Sequence, residues 1–377
     1  MSIDWIKEAQ SVYGEMSSLR EFFHKNPEVG NNEFKTADKI EEVLKGLGIK
    51  TTRLLDTAVV GLLEVEGSNK CIALRSDIDA LPTTEETDLP FSSVNEGVMH
   101  ACGHDMHIAA QLGAAMILSR NKDKLTNSVK FLFQPDEEGN GGAERMIKAG
   151  VLENPKVSAV YGAHVYPELP FGVIGTKKGP LMAISTAFDI FVYGKSAHGA
   201  ERKAGNDALG AAAEITKYAL SLNRKDTVLT VGAFHSGTIR NIIADKAVLN
   251  ATLRTLTIDR KDEVLNKLHT FADKLCKKYG VTYEIIVNRG YIGICNKEEN
   301  FKTVKKVSSK LFGAENSITL KDATMKSEDF GYFINNSSGC FYFAGVGGEY
   351  ALHNSHFAPD NKALINVSAL QAALSQE

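Results

Sequence analysis

The order of predicted elements in the first half of the chain constrains its fold more than any other feature. Short apolar segments of strand length at residues 71–75, 129–133 and 157–163 alternate with predicted helices at residues 108–118 and 141–149. A strand–helix–strand order of this kind forms right-handed βαβ units, in which helices cover a parallel sheet. We therefore predict an α/β fold with a mainly parallel sheet and helices on both of its faces.

The pattern changes after residue 182. Residues 183–194 alternate apolar and polar side chains, and helix, strand, strand, helix and strand segments follow up to residue 287. This β-α-β-β-α-β order is typical of an antiparallel sheet with helices on one face. We predict that residues 183–294 form an inserted α+β domain, and that residues 1–182 and 295–377 together form the α/β domain.

Composition and charge exclude several classes of protein. The 377 residues are 43% hydrophobic and 24% charged, which fits a globular chain of two domains. A net charge of −3 lacks the basic surplus of a nucleic-acid-binding protein, and the apolar segments are far shorter than the ~20 residues of a membrane span. Five irregularly spaced cysteines do not form a disulfide framework. We expect a cytoplasmic protein that binds neither nucleic acid nor membrane.

Side chains suited to metal binding follow the predicted strands. Asp77 and Asp79 come after the first strand, the acidic residues 136–138 come after the second, and His164 comes after the third. Because the carboxyl ends of parallel strands meet at one edge of a sheet, we expect these side chains to lie together there. Carboxylates and imidazoles in one site hold a divalent transition metal such as zinc, manganese or cobalt.

The densest group of potential ligands is MHACGHDMH, at residues 99–107. Three or four potential ligands in nine residues are difficult to explain by packing alone. The potential ligands in it are His100, Cys102, His104, Asp105 and His107. A second chemistry remains open, in which Cys102 is a nucleophile and a neighbouring histidine is its base. Taken singly, the other motifs have ordinary explanations, because adjacent acids commonly face solvent and a DxD commonly caps a turn.

Nine motifs, in order along nearly the whole chain, resemble the M20 metallopeptidase/amidohydrolase family. They are closest in pattern to its aminoacylase-like branch, which contains hippurate hydrolases, auxin-conjugate hydrolases, N-acyl-amino-acid deacylases and N-acetyldiaminopimelate deacetylase. The motifs are DIDALPTTEET, MHACGHDMH, FQPDEEGNGGAERMI, GAHVYPELPFGVIGTKKGP, GKSAHGA, GTIRNIIADKA, LRTL, KSEDFGYF and LHNSHF. The resemblance implies a metallohydrolase domain that carries an inserted lid and dimerisation domain.

The resemblance also implies two divalent metal ions per subunit, with manganese, zinc, cobalt and nickel all open. The metal ligands that it implies are Cys102, His104, Glu138, His164 and His353. By the same resemblance, the thiolate of Cys102 bridges the two metals. Glu137 is implied to be the general base, and Asp79 is implied to orient a ligand from behind.

Three residues of the inserted domain are implied to reach the substrate. His198 and Asn241 match residues that contact the reacting group, often across a dimer, and Arg254 matches a position that could receive the substrate carboxylate. A homodimer is therefore expected. Two departures from the family pattern stand out. Asp136 replaces a common alanine, which predicts a third acid beside the metals. In the loop after His198, Arg202 and Lys203 replace the usual proline–histidine pair.

The implied function is metal-dependent hydrolysis of the amide bond of a small N-acyl-amino acid, with N-acetyldiaminopimelate or a similar N-acetyl amino acid as candidates. Glu137 would take a proton from metal-activated water and pass it to the leaving amine, while His198 donates to the developing oxyanion. The alternatives are a metallo-dipeptidase or carboxypeptidase on the same scaffold, a hydrolase dependent on Cys102, and a non-catalytic binding protein.

Overall fold

The structure, a computed structural model, describes residues 3–288 and 290–377, so residues 1, 2 and 289 of the predicted domains lie outside it. The strands are β1 Lys50–Leu54, β2 Ala58–Leu63, β3 Cys71–Asp77, β4 Ser128–Gln134, β5 Val157–Tyr166, β6 Ile174–Thr176, β7 Gly179–Met182, β8 Ile184–Tyr193, β9 Thr227–Ser236, β10 Lys246–Thr255, β11 Thr282–Val287, β12 Ile294–Asn296, β13 Ser317–Thr319 and β14 Gly339–Gly345. The helices are α1 Trp5–Ser11, α2 Tyr13–Lys25, α3 Phe34–Gly46, α4 His104–Arg120, α5 Ala143–Lys148, α6 Ala208–Ser221, α7 Ile258–Tyr279, α8 Glu298–Phe312, α9 Gly331–Asn336 and α10 Ala363–Leu374.

The first compact unit comprises Met1–Leu181, Cys295–Asp322 and Asp329–Glu377. Its eight-stranded sheet has the order β1-β2-β4-β3-β5-β14-β6-β13. The four central strands, β4, β3, β5 and β14, are parallel to one another, and antiparallel pairings flank this central block. The prediction of a mainly parallel sheet is confirmed.

Helices cover both faces of this sheet. Helix α4 is buried on all sides from His104 to Leu118, between the sheet and helices α2 and α10. Along β14, Tyr342 packs in the core under these helices, whereas Phe341 contacts Phe330, which lies next to α9. The side chains of one strand therefore serve two cores, as helices on both faces require.

The second compact unit comprises Met182–Ile294 and Ala323–Glu328. Its antiparallel sheet has the order β11-β8-β10-β9, and α6 and α7 pack on one face over a core of their own. This is the predicted inserted α+β fold. The segment Ala323–Glu328, which the sequence pattern assigned to the first domain, joins this unit because Ala183 N–H donates to Lys326 O at 2.9 Å. Such a short irregular segment carries no periodicity from which to assign it.

The second unit has two exposed edges, formed by β9 and β11. Apolar side chains are exposed on both strands, including Val228 and Phe234 on β9 and Val287 on β11. Edge strands with exposed apolar side chains are sites where another chain can pair. In the described part of the chain, every helix is too short or too polar to cross a bilayer.

Candidate metal centre

The parallel strands bring the predicted site residues to one edge of the first unit's sheet. Strand β3 ends at Asp77, helix α4 begins at His104, and the turn that carries Glu137 and Glu138 follows β4. His164, which we expected just after the third strand, lies inside β5, two residues before its end. Because β3, β4 and β5 are parallel neighbours, their carboxyl ends bring these residues together.

The sulfur of Cys102 lies between two imidazoles. Its Sγ is 3.3 Å from Nε2 of His164 and 3.3 Å from Nε2 of His353, and the thiol is buried. His353 Nε2 is also 3.1 Å from Oε1 of Glu138. Cys102, His104 and His164 have donor atoms close enough to share one cation, as do Cys102, Glu138 and His353. The sulfur thus belongs to two possible ligand groups.

One buried atom beside the sulfur, Nε2 of His104, has no hydrogen-bond partner among the described residues. A buried polar atom without a partner is costly, and a cation that accepts its lone pair removes that cost. The Nδ1 atom of His164 donates to the carbonyl of Val165 at 2.6 Å. In the neutral ring Nε2 therefore carries no proton, and its lone pair is available to a metal on the side of the sulfur.

Asp79 connects two of the predicted ligands. Its Oδ2 accepts a hydrogen bond from the backbone N–H of Glu138 at 2.9 Å, and its Oδ1 is 3.2 Å from Nδ1 of His104. The same Nδ1 is 2.8 Å from the carbonyl oxygen of Asp79. These contacts fix the ring of His104 through Nδ1 and leave Nε2 free to bind a metal. Asp79 is thus placed to orient His104 without binding the metal itself.

Burial and the local carboxylates set the charges of the site. Burial, reinforced by Glu138 and Glu137, raises the pKa of the Cys102 thiol well above its usual range. Burial, together with neighbouring His107, holds the pKa of His164 well below its usual value and keeps the ring neutral. Burial would lower the pKa of His104, but Asp77, Asp79 and Glu138 outweigh it and raise the pKa to about 10. The negative potential of the carboxylates therefore favours positive charge at this site, on His104 or on a bound cation.

Asp77 and His107 also lie close to His104, but their contacts are of another kind. His107 Nδ1 donates to Asp77 Oδ1 at 2.5 Å, and His107 Nε2 accepts the backbone N–H of Val165 at 2.9 Å. Both ring nitrogens are thus used, which leaves His107 no lone pair for a metal. The second oxygen of Asp77 accepts from Arg75 at 2.8 Å. This buried network was not predicted. Its only trace in the sequence is the pair of charged residues Arg75 and Asp77 at the end of an apolar strand.

Two residues of the site adopt left-handed backbone conformations. Gly103, between Cys102 and His104, has φ +83°, and a Cβ at this position would lie 2.5 Å from Cγ2 of Val165. His353 has φ +68°, and its N–H donates to the carbonyl of Ala101 at 2.8 Å. A non-glycine residue in this conformation stores ~1–3 kcal/mol of strain, and such strain concentrates at functional sites.

The three predicted residues of the inserted domain lie in the second unit. His198 is exposed, and its neighbour Gly199 donates its N–H to the carbonyl of Asn241 at 2.7 Å, so His198 and Asn241 are brought together. The Nη1 atom of Arg254 donates to Met325 O at 3.1 Å and to the Ser327 hydroxyl at 3.0 Å. The roles of these three residues toward substrate stay predictions.

The expectation of a third acid beside the metals is wrong. Asp136 is buried, but its carboxylate accepts from Nδ2 of Asn31 at 2.6 Å and from Nη1 of Arg145 at 3.0 Å. The backbone of Asp136 has φ +59°, unlike the extended strand before it, and this conformation directs the side chain to those partners. Among the described residues, Asp136 is in none of the groups that could hold a cation.

Comparisons with known proteins show the family of this chain. The model of peptidase family M20/M25/M40 matches residues 73–376. Thermostable carboxypeptidase 1 of Saccharolobus solfataricus is 35% identical over 372 residues, which cover 94% of this chain and 93% of that protein. N-acetyldiaminopimelate deacetylase of Lactobacillus helveticus is 33% identical over 375 residues, covering 96% and 97%.

A solved structure extends the similarity to three dimensions. A dinuclear metal-binding peptidase of the M20 family from Bacillus subtilis superposes with a TM-score of 0.88 at 31% identity, covering 97% of this chain and 98% of that one. The match of the family model to most of the chain, together with these relatives, confirms the resemblance inferred from the motifs. The chain belongs to peptidase family M20/M25/M40 and is a hydrolase of amide bonds.

Proposed function

We propose that this chain is a metal-dependent amidohydrolase that cleaves the amide bond of N-acyl-amino acids. The observation that carries the proposal is the position of the Cys102 sulfur, 3.3 Å from Nε2 of His164 and 3.3 Å from Nε2 of His353. Because the sulfur is shared by two ligand groups, it suits a bridge between two cations. The proposed ligands are Cys102, His104, Glu138, His164 and His353.

The donor set selects the class of metal. One thiolate, three imidazoles and one carboxylate are ligands of intermediate softness, which suit zinc, cobalt, nickel or manganese. Magnesium and calcium take oxygen ligands, so this set is unsuited to them. The dinuclear peptidase from Bacillus subtilis, similar over nearly the whole chain, supports two ions per subunit.

The chemistry then follows from the residues around the metals. Bound cations supply a Lewis acid and lower the pKa of a bound water toward neutrality. Glu137 is buried, and its carboxylate lies in one group of possible ligand atoms with the imidazole of His104 and the carboxylate of Glu138. We assign Glu137 as the base that takes the proton of the attacking water and returns it to the leaving amine. Asp79 keeps His104 and Glu138 in orientation through the contacts described above.

Residues of the second unit complete the proposal. His198 is assigned to donate a hydrogen bond to the oxyanion, a contribution of about 3 kcal/mol for one well-placed donor. Asn241, which lies beside it, is assigned to the same group of the substrate. The guanidinium of Arg254 is assigned to the substrate carboxylate.

The relatives leave two substrate classes. The similarity to a deacetylase supports an N-acyl-amino acid, with N-acetyldiaminopimelate as one candidate. The similarity to a carboxypeptidase supports the runner-up, a short peptide cleaved by the same water attack. A homodimer in the cytoplasm is part of the proposal, and the five unpaired cysteines suit a reducing compartment.

A cysteine nucleophile accounts for less of the site. Such an enzyme needs one imidazole as base, and His164 would serve. Its use would leave the unpartnered Nε2 of His104 and the paired side chains of His353 and Glu138 without a role. Metal binding uses all of these atoms.

Chelation separates these chemistries. EDTA or phenanthroline should abolish hydrolysis of N-acetyl-amino acids, and added manganese, zinc, cobalt or nickel should restore it, while circular dichroism shows that the stripped protein remains folded. Full activity in protein shown by elemental analysis to be metal-free would overturn the metal assignment. A panel of N-acetyl, N-benzoyl and dipeptide substrates then ranks the two substrate classes by kcat/KM.

A further inference from the structure

The turn that carries the proposed base and its neighbouring ligand is closed by Asp136, the residue before them. The carbonyl of Asp136 accepts the N–H of Gly141 at 2.8 Å, and Oδ1 accepts the N–H of Asn140 at 3.0 Å. Glu137 and Glu138 lie between the two ends that these bonds join. The conformation of both glutamates therefore depends on Asp136.

Asp136 also ties the turn to two other parts of the first unit. Its N–H donates to Oε1 of Glu33, which lies just before α3, at 2.9 Å. Its Oδ2 accepts from Asn31 at 2.6 Å and from Arg145 of α5 at 3.0 Å. Arg145 also donates to Oδ1 of Asn31 at 2.7 Å, so the three side chains form a closed triangle. Asp136 is 1% exposed, which makes these bonds hard for water to replace.

Two glycines make room for this carboxylate. A Cβ on Gly30 would lie 2.3 Å from Oδ1 of Asp136, and a Cβ on Gly139 would lie at the same distance from it. Neither glycine has a positive φ, so the backbone at these positions would accept other residues. Both positions are therefore occupied by glycine because a side chain there would overlap with the carboxylate of Asp136.

The segment that holds Asp136 also holds the loop of Asp79. The N–H of Ala80 donates to the carbonyl of Glu28 at 2.8 Å, and Val29 bridges to Ala80. Asn31, three residues after Glu28 in the same segment, donates to Asp136. The segment before α3 therefore contacts both the loop that carries Asp79 and the turn that carries the two glutamates, and it sets the distance between them.

We propose that Asp136 is a positioning residue for the reaction, and that its carboxylate, held by Asn31, Arg145 and Asn140, fixes the turn that presents Glu137 and Glu138. This inference rests on the proposed function, since it assigns those glutamates their tasks. Asp136 acts through the turn and does not touch the reacting atoms. A displacement of about 1 Å in such a group can cost up to about 100-fold in rate.

Three variants test the role of the carboxylate. Asp136→Gly keeps the left-handed backbone and removes the carboxylate, so kcat should fall about 10-fold while KM stays within about threefold. Asp136→Asn tolerates the same φ and keeps an oxygen for the N–H of Asn140, but its amide nitrogen cannot accept from Asn31 and Arg145, so its kcat should lie between those of Asp136→Gly and the wild type. Gly30→Ala pushes on the carboxylate from another segment and should reproduce the loss seen in Asp136→Gly.

Gly14→Ala is the matched control for Gly30→Ala, because a Cβ on Gly14 meets nothing within 4 Å. It should leave kcat unchanged. The cobalt-loaded proteins provide a second measurement, since a shifted visible absorption band at unchanged cobalt content reports a moved Glu138. A role in stability alone would lower the melting temperature of the variants but leave kcat and the cobalt spectrum as in the wild type.

Wild-type kcat and an unshifted cobalt spectrum in Asp136→Gly would overturn the inference. If that variant does not fold, Gly30→Ala decides alone, and wild-type behaviour in it would overturn the inference equally. Failure of the proposed function is a different result, because the wild type and Gly14→Ala would then be inactive on every substrate of the panel. In that case the cobalt spectra of the variants still test the positioning role.

Discussion

Two adjacent glutamates, chemically identical, have different surroundings in the first unit. Glu138 has Oε1 3.1 Å from Nε2 of His353, and its N–H is held by Asp79. Burial would raise the pKa of Glu138, but His353 and His104 outweigh it and lower the pKa, so the carboxylate is charged. Glu137 is more deeply buried, and in the proposed function its carboxylate takes up a proton instead of binding a metal. The two residues should therefore respond differently to the same substitution.

Replacement of each glutamate by glutamine tests the assignment within the pair. Glu137→Gln removes the proton acceptor and keeps the shape, so turnover should fall at least about 100-fold with metal content unchanged. Glu138→Gln replaces a charged ligand by a weak neutral one, so metal content should fall. Elemental analysis of both purified variants, alongside the wild type, gives the answer. Metal loss in Glu137→Gln, with full metal in Glu138→Gln, would reverse the two assignments.

At the scale of elements, the start of α4 sets the position of two proposed ligands. Gly103 precedes the helix in a left-handed conformation and separates Cys102 from His104. A Cβ at Gly103 would lie 2.5 Å from Val165 Cγ2 and 3.2 Å from Cε1 of Phe357. Val165 follows the proposed ligand His164 in β5, so a side chain at Gly103 would push on the strand and on the helix start together.

Gly103→Ala should therefore destabilise the protein and lower its metal content. The left-handed conformation costs ~1–2 kcal/mol for alanine, and the clash adds ~1–3 kcal/mol of overpacking. Gly97→Ala is a matched control, because Gly97 also has a positive φ but a Cβ there meets nothing within 4 Å. Urea unfolding should show a larger loss of unfolding free energy for Gly103→Ala than for Gly97→Ala. Equal losses, with full metal in both variants, would contradict the role of the helix start.

The sequence predicted the elements well, and its errors have physical causes. Strand β3 was predicted to end at Arg75 but continues to Asp77, because the charges of these two residues are paired and buried instead of solvated. The same pairing hid the network of Asp77 with His107. Hydrophobic periodicity treats every charge as a surface residue, so it cannot recognise a buried pair. The task of Asp136 was likewise invisible, since it depends on Asn31 and Arg145, distant in sequence or on another element.

At the scale of the whole molecule, the proposed chemistry is divided between the two compact units. All five proposed ligands belong to the first unit, whereas His198, Asn241 and Arg254 belong to the second. The second unit also presents exposed edges at β9 and β11, which are able to pair with another chain. These features support the proposal of a homodimer formed through the second unit, in which His198 serves the site of the partner.

Mixing two inactive variants tests this arrangement. His198→Ala lacks the oxyanion donor and Glu137→Gln lacks the base, so each homodimer should be nearly inactive. If His198 acts in trans, a mixed dimer contains one site with an intact Glu137 and an intact His198 from its partner. Random exchange of equal amounts makes half of the dimers mixed, so activity should rise to about a quarter of the wild type. Subunit exchange is verified independently with two affinity tags. If exchange is complete and activity stays at the level of the separate variants, His198 does not act in trans. A monomer in sedimentation experiments would exclude the dimer itself.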